Sequence, residues 1–292
     1  MFVFLNDKYL QHSEASISID DRGFHFGDGI YDIMLLNNGV IIDDKRHFER
    51  TKSCAEFVKI NFKYSNEEIK SIVKKLCEMN NVSSGKVILV ASRGSTDRWE
   101  VDFSETEPNF LIYIKDSDNK IAKNQISQMK IKTMEDIRWK FRNIKTTCLL
   151  PSVIARIDAE KDGFDDVVYM ENGFVNEISR SNVFIVKGST ISTPQNSEKI
   201  LSGITMNRII DLMSNISGFK GKISDNSYQV LSEMNVVREA VSFDELFNAD
   251  EVFASSATMR IATISKIDDK EFKESRVARS LLELYDYWVI NH

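Results

Sequence analysis

The sequence predicts two domains of mixed α/β and α+β construction, and three observations carry that prediction. Short strand-like runs alternate with helical stretches along the whole chain, the pattern of sheets covered by helices. At 292 residues the chain is long enough for one large core or two medium ones. A short polar stretch, Lys115-Asp116-Ser117-Asp118-Asn119-Lys120, interrupts the pattern and reads as an inter-domain junction. The expected division is a smaller N-terminal domain over 1–118, a linker over 119–124 and a larger C-terminal domain over 125–292.

In the first part, Val3 to Leu5 and Ile30 to Leu36 read as strands. Asn37-Asn38-Gly39 reads as a hairpin turn leading into Val40 to Ile42. Residues 44–60 read as a helix that carries His47 and Arg50. Ser65 and Glu68 have capping-box spacing, in which each side chain satisfies an orphan N–H at a helix start. Ile69, Ile72, Val73, Leu76 and Cys77 then recur at helical spacing, so one apolar face is expected, with Cys77 packed into it. Lys86 to Ser92 and Asn109 to Lys115 read as strands. The second part is richer in strands: Met129 to Thr133, Val167 to Met170, Val175 to Ile178 and Asn182 to Lys187, with Asn172-Gly173 as a hairpin turn. Pro151 and Gly163 bracket a helix, Ile204 to Ile216 forms another, and Val277 to Val289 a third with Leu281, Leu284, Tyr285 and Trp288 on one side.

Composition narrows the function classes. The 42% hydrophobic and 28% charged fractions are those of an ordinary globular protein. A net charge of −6 disfavours nucleic acid or an anionic membrane as the main partner. Cys54, Cys77 and Cys148 are scattered, with no C-x-x-C pair, which supports neither a disulfide framework nor a zinc site. His12, His25, His47 and His292 form no triad and no metal-ligand spacing. The start is apolar only over Met1 to Leu5, unlike a secretory signal, and no apolar run reaches the ~18 residues that span a bilayer. A cytoplasmic enzyme is the expectation.

Three segments bear chemistry. They are DRGFHFGDGIYD at 21–32, DIRWKFRNIKTTCLL at 136–150 and VNEISRSN at 175–182. Together they resemble the class IV aminotransferases, the fold-type IV enzymes that use pyridoxal 5'-phosphate (PLP), and most closely the D-amino-acid transaminases. The resemblance runs roughly from Asn6 to Ile267 and implies a cofactor in the cleft between two domains and a homodimer. It also implies the roles of named residues. Lys145 would hold the cofactor as an imine and move a proton between Cα and C4′, and the apolar residues after it offer the dry surroundings that favour a neutral amine. Glu177 would keep the pyridine nitrogen protonated, with Ser179, Ser181 and Asn182 following as the family requires. Ile178 and Arg180 depart from the glycine and serine common there, and a continued strand would put Glu177, Ser179 and Ser181 on one face.

The phosphate calls for cations and oriented N–H donors. Gly203-Ile204-Thr205 opens a helix and matches the family's phosphate-binding turn, with Leu201 against the ring. Arg50 matches the phosphate arginine, and Arg138 an arginine near the phenolic oxygen. Phe253 to Thr258 resembles a second small-residue loop, where Ser256 and Ala257 approach the phosphate and Thr258 the substrate; Ala257 replaces a frequent threonine and its hydroxyl. Tyr31 fits the tyrosine that meets both substrate and lysine. In the family, an arginine and then a histidine two residues on bind the substrate carboxylate. Here Arg98 is followed by Glu100, and two like charges ~4 Å apart repel by ~4 kcal/mol at an effective dielectric near 20. The implied reaction is ping-pong transamination between a D-amino acid and a 2-oxo acid through pyridoxamine phosphate. Branched-chain L-amino-acid transamination, (R)-amine transamination and an aminodeoxychorismate-lyase-like reaction share the cofactor residues and stay open, as does a PLP-holding protein without turnover.

Overall fold

Ile30, Asp32, Met34 and Leu36 alternate with half-exposed neighbours along a nine-residue strand, and this period-two pattern organises the first of two units. The computed structural model describes residues 1–96, 106–116, 126–273 and 275–292. Contacts divide the chain into Met1–Lys120 with Ile144–Leu149, and Ile121–Asn143 with Leu150–His292.

The first unit has six strands: β1 (Phe2–Leu5), β2 (Lys8–Gln11), β3 (Gly29–Asn37), β4 (Val40–Ile41), β5 (Gly85–Ser92) and β6 (Asn109–Asp116). They pair antiparallel in the order β2-β1-β6-β5-β3-β4. Its helices are α1 (Arg22–Phe26), α2 (Asp44–Phe57) and α3 (Asn66–Asn80). Phe48, Cys54 and Ala55 of α2 and Ile69, Ile72, Val73 and Leu76 of α3 share a core with Met34, Val87, Leu89 and Ile112 of the sheet. The capping box is present at Ser65 and Glu68, and Asn81 closes α3 in the left-handed region. Cys77 is only partly buried at the rim of this core. The expected helix over 44–60 stops at Phe57.

The sequence reading assigns 144–149 to the second domain, yet this stretch belongs to the first unit. Ile144 enters its core, Thr146 bridges to Ile30, and backbone hydrogen bonds tie Lys145 and Thr147 to β3. This pairing joins residues more than 100 apart, and no local propensity encodes it.

The second unit contains β7 (Ser127–Glu135), β8 (Asp166–Glu171), β9 (Phe174–Ile178), β10 (Asn182–Lys187), β11 (Thr190–Pro194), β12 (Asn235–Glu239), β13 (Glu251–Ser256), β14 (Arg260–Ile267) and β15 (Lys270–Glu271). Its sheet runs β12-β11-β10-β13-β14-β7-β8-β9, with β15 paired to β14. The helices are α4 (Leu150–Lys161), α5 (Ile204–Ser214), α6 (Asp225–Ser232), α7 (Phe243–Phe247) and α8 (Arg276–Ile290). Asn172 and Gly173, at φ 53° and 81°, make the β8–β9 hairpin turn, where two successive positive φ values match the twist of the strands. Ala155 and Ala159 seat α4 on Val167 and Tyr169. Buried Glu251 accepts from the amides of Val277 and Ala278, placing a carboxylate at the positive end of α8.

Candidate active-site residues

In the first unit the focus is Asp32, fully buried on the core-facing side of β3. An acid at a core position needs partners. The stripe His47, Arg50, Thr51 and Cys54 of α2 supplies them, because those residues recur at helical spacing opposite β3. Arg50 donates to both Asp32 oxygens, Nε to Oδ2 at 3.0 Å and Nη2 to Oδ1 at 2.7 Å, and His47 Nδ1 lies 3.0 Å from Oδ1. Thr51 Oγ1 donates to the His47 carbonyl at 2.8 Å. Burial pushes the Asp32 carboxyl up, but Arg50 and His47 outweigh it and hold it well below the usual carboxylate range.

Lys145 stands in the same unit. Its carbonyl accepts from the Tyr31 amide at 3.0 Å, and its own amide donates to Cys54 Sγ at 3.4 Å. The Lys145 Nζ lies 4.5 Å from the centre of the Tyr31 ring. Thr147 ties the same stretch down on its other side: its amide donates to the Gly29 carbonyl at 2.9 Å and its hydroxyl to the Gly27 carbonyl at 2.8 Å. The lysine backbone is thus pinned on both sides, and its amine has no hydrogen-bond partner among the described residues. Burial pushes the Cys54 thiol up, so Cys54 serves as a neutral acceptor for the lysine amide.

In the second unit Glu177, next to last in β9, is 5% exposed. Arg138 Nη1 donates to its Oε1 at 2.7 Å, and the Leu201 amide to its Oε2 at 3.1 Å, with Asn182 Nδ2 farther off at 3.4 Å. Burial pushes the Glu177 pKa up, and Arg138 and Leu201 only partly offset it. Arg138 is forked onto Asp136 as well, at 2.9 and 2.8 Å, and lies 4.2 Å over the Tyr169 ring. Asn176 adds a 2.9 Å bond to Asp136.

Gly203 is the N-cap of α5, and no side chain caps that helix among the described residues. A Cβ on Gly203 would meet Asn182 Oδ1 at 1.8 Å, so only glycine lets the turn approach Asn182 this closely. Ile204 and Thr205 form the buried first turn.

Several expected placements change. Ser179 and Arg180 turn the chain, with Ile178 and Ser181 bonded across it, so alternation from Glu177 to Ser181 fails. The Ser179 hydroxyl is spent on buried Asp166 instead. The expected loop at 253–258 is strand up to Ser256, followed by a turn over Ala257 and Thr258, and Ser256 Oγ accepts from the Met259 amide at 3.2 Å. Arg98 and Glu100, like the linker 119–124, lie outside the described residues. Sequence reasoning missed Asp32, Asp136 and Ser255. The signal for Asp32 was an acid in register with Ile30, Met34 and Leu36. Ser255 is the cross-strand partner of Asn182, and its buried hydroxyl, like that of Ser181, has no hydrogen-bond partner among the described residues.

Comparison with known proteins bears on the family and the fold. The signature of the amino-transferase class IV family matches residues 29–267. A D-alanine aminotransferase from Staphylococcus aureus is 31% identical over 296 positions, covering 99% of this chain and 98% of that protein. A branched-chain aminotransferase from Thermoproteus uzoniensis, solved with norvaline, superposes with a TM-score of 0.84 at 20% identity, covering 100% of this chain and 95% of that one. A hypothetical aminotransferase from Mycobacterium tuberculosis in a PLP-bound form gives 0.81 at 18% identity, covering 100% of both. The two structures show likeness of fold.

Proposed function

Because the chain belongs to the amino-transferase class IV family, we propose that it is a PLP-dependent transaminase acting between a D-amino acid and a 2-oxo acid. The observation that carries the reading is the seat of Lys145: a lysine pinned through its backbone on both sides, its amine over Tyr31. The full-length likeness to a D-alanine aminotransferase supports the D-amino acid.

The residues present fit the cofactor. Glu177 is a buried carboxylate whose raised pKa matches it to a ring nitrogen with which it would share a proton. In the first unit Arg50 keeps Nη1 uncommitted among the described residues, a donor of the kind a phosphate takes. In the second unit the start of α5 offers oriented backbone N–H groups, also of that kind. Ser181 and Ser255 add buried hydroxyls without hydrogen-bond partners among the described residues.

When bound, PLP supplies an aldehyde and an electron sink for the α-carbon. Lys145 holds the cofactor and moves the proton at the α-carbon. Glu177 holds the ring proton, and Arg138 fixes the Glu177 carboxylate. Arg50 would bind the phosphate, as would the turn at Gly203, Ile204 and Thr205, and the resemblance assigns Leu201, Ser181, Asn182, Ser256 and Ala257 to the cofactor, whereas the Ser179 hydroxyl is already held by Asp166. The resemblance assigns Tyr31, Arg98, Glu100 and Thr258 to the substrate.

We read the protein as a cytoplasmic homodimer. Among the described residues no helix is long and apolar enough to cross a membrane. Leu150, Val153, Ile154 and Ile157 form an exposed apolar stripe on α4, a face suited to a second copy. The experiment is a panel: purified holoenzyme with D- and L-amino acids and amines, each paired with a 2-oxo acid acceptor. Formation of new D-amino acid supports the reading, and turnover confined to L-amino acids or amines overturns it.

A further inference from the structure

The fork between Asp32 and Arg50 does more than neutralise a buried acid. An arginine has five N–H donors in a rigid plane. Asp32 takes up the Nε and Nη2 edge through contacts of 3.0, 2.7 and 2.8 Å. His47 Nδ1 stands 3.3 Å from the same Nη2, and the Arg50 side chain is 13% exposed. Every contact falls on one edge of the guanidinium, and Nη1 is left with no partner among the described residues. Asp32 is itself held from a second side, since His47 reaches one oxygen, while Thr51, whose hydroxyl proton goes to the His47 carbonyl, ties down His47. Such an array fixes both the plane and the free edge of the arginine.

We propose that Asp32 is a positioning residue for phosphate binding: it grips Arg50 by one edge so that Nη1, in a fixed direction, is the donor offered to the cofactor phosphate. The inference rests on Arg50 being the phosphate arginine of the reading above. It implies that geometry, rather than positive charge alone, makes the subsite, because the Asp32 carboxylate cancels much of the Arg50 charge. A lysine at position 50 could not perform the same task. Its compact ammonium would be drawn to Asp32 and would have no second edge to present.

The probes are PLP and pyridoxal, which share ring and aldehyde and differ in the phosphate. Each is titrated into apoenzyme by its absorbance, and the ratio of the two dissociation constants is compared across variants. A role confined to folding would weaken both probes together and leave the ratio unchanged. Wild type should favour PLP strongly, and Arg50→Ala should lose most of that preference. Asp32→Asn should lower the ratio at least about tenfold. Arg50→Lys keeps the buried charge pair, which guards against a variant that fails to fold, and should fall as far as Arg50→Ala. If Arg50→Ala lowers the ratio while Arg50→Lys and Asp32→Asn match wild type, the positioning role is overturned and the phosphate role of Arg50 stands. An unchanged ratio in Arg50→Ala overturns both.

Discussion

Replacing Arg138 by methionine removes one cation from between two buried carboxylates. The Asp136 and Glu177 side chains are 0% and 6% exposed, and Arg138 bonds them at 2.8 and 2.7 Å. Methionine retains most of the apolar stem, so the loss is chiefly electrostatic. Removing one partner of a buried pair costs about 3–5 kcal/mol, because the remaining charge is left in a poor solvent. Asn176 and Arg142, 2.9 and 3.4 Å from Asp136, persist and favour the low end of that range. At roughly 2 °C or more per kcal/mol for a unit of this size, the melting temperature at pH 8 should fall by at least about 6 °C. The pH dependence has a definite sign. Burial already pushes Glu177 up against Arg138, and without Arg138 it rises further. A raised carboxyl contributes stability at low pH that is lost as pH climbs through its folded pKa. Asp136 is pushed up by burial and held below its usual value by Arg138, a stabilisation present above the unfolded pKa and lost as pH falls through the lowered one. The variant lacks that stabilisation as well. That loss counts equally at pH 5 and pH 8, both above the unfolded Asp136 pKa, so it is the further rise of Glu177 that makes the deficit larger at pH 8 than at pH 5. Thermal melting of apoenzyme at the two pH values checks this. A variant that melts within about 2 °C of wild type at pH 8, or has its larger deficit at pH 5, refutes the reasoning.

Other substitutions address the chemistry and the assembly. Glu177→Gln keeps the shape but cannot hold the ring proton, so single-turnover transamination at saturating cofactor should slow by orders of magnitude; an unchanged rate assigns that task to another group. Glu100→His should lower the KM for D-alanine and D-glutamate by up to tenfold per ~1.4 kcal/mol of repulsion removed. If that variant and Arg98→Ala both leave KM unchanged, the substrate carboxylate is bound elsewhere. Ile154→Asp places a charge in the α4 stripe and should shift the sedimenting species from dimer to monomer, whereas a monomeric wild type contradicts the proposed homodimer.

Local signals in the sequence located many of the elements that carry the candidate site. The capping box at Ser65 and Glu68 and the Asn172-Gly173 turn are short-range chemistry, and each stands where its residues put it. Strand β10 spans Asn182–Lys187 as expected. The unrecognised elements have physical reasons. β13 is buried along nearly its whole length, so it lacks the alternation that marks a half-exposed strand. Helices α1 and α7 have five residues each, too few for helical periodicity to register. At the candidate site, family motifs picked out Lys145, Glu177 and Arg50, but their supports were less visible. Asp136 lies two residues from Arg138 in sequence, yet its role depends on a guanidinium that also reaches Glu177, 39 residues on. The place of Lys145 on β3 is a tertiary fact, made by Ile144 in the core and the bridge from Thr146 to Ile30.

The central claim is that Lys145 carries the cofactor. Borohydride reduction of the PLP-loaded enzyme, followed by proteolysis and mass mapping, reads this directly. The account predicts one pyridoxyl group per chain, on the peptide containing Ile144-Lys145-Thr146, and no incorporation in Lys145→Ala. A label on any other lysine, or equal labelling of the Lys145→Ala variant, would contradict it.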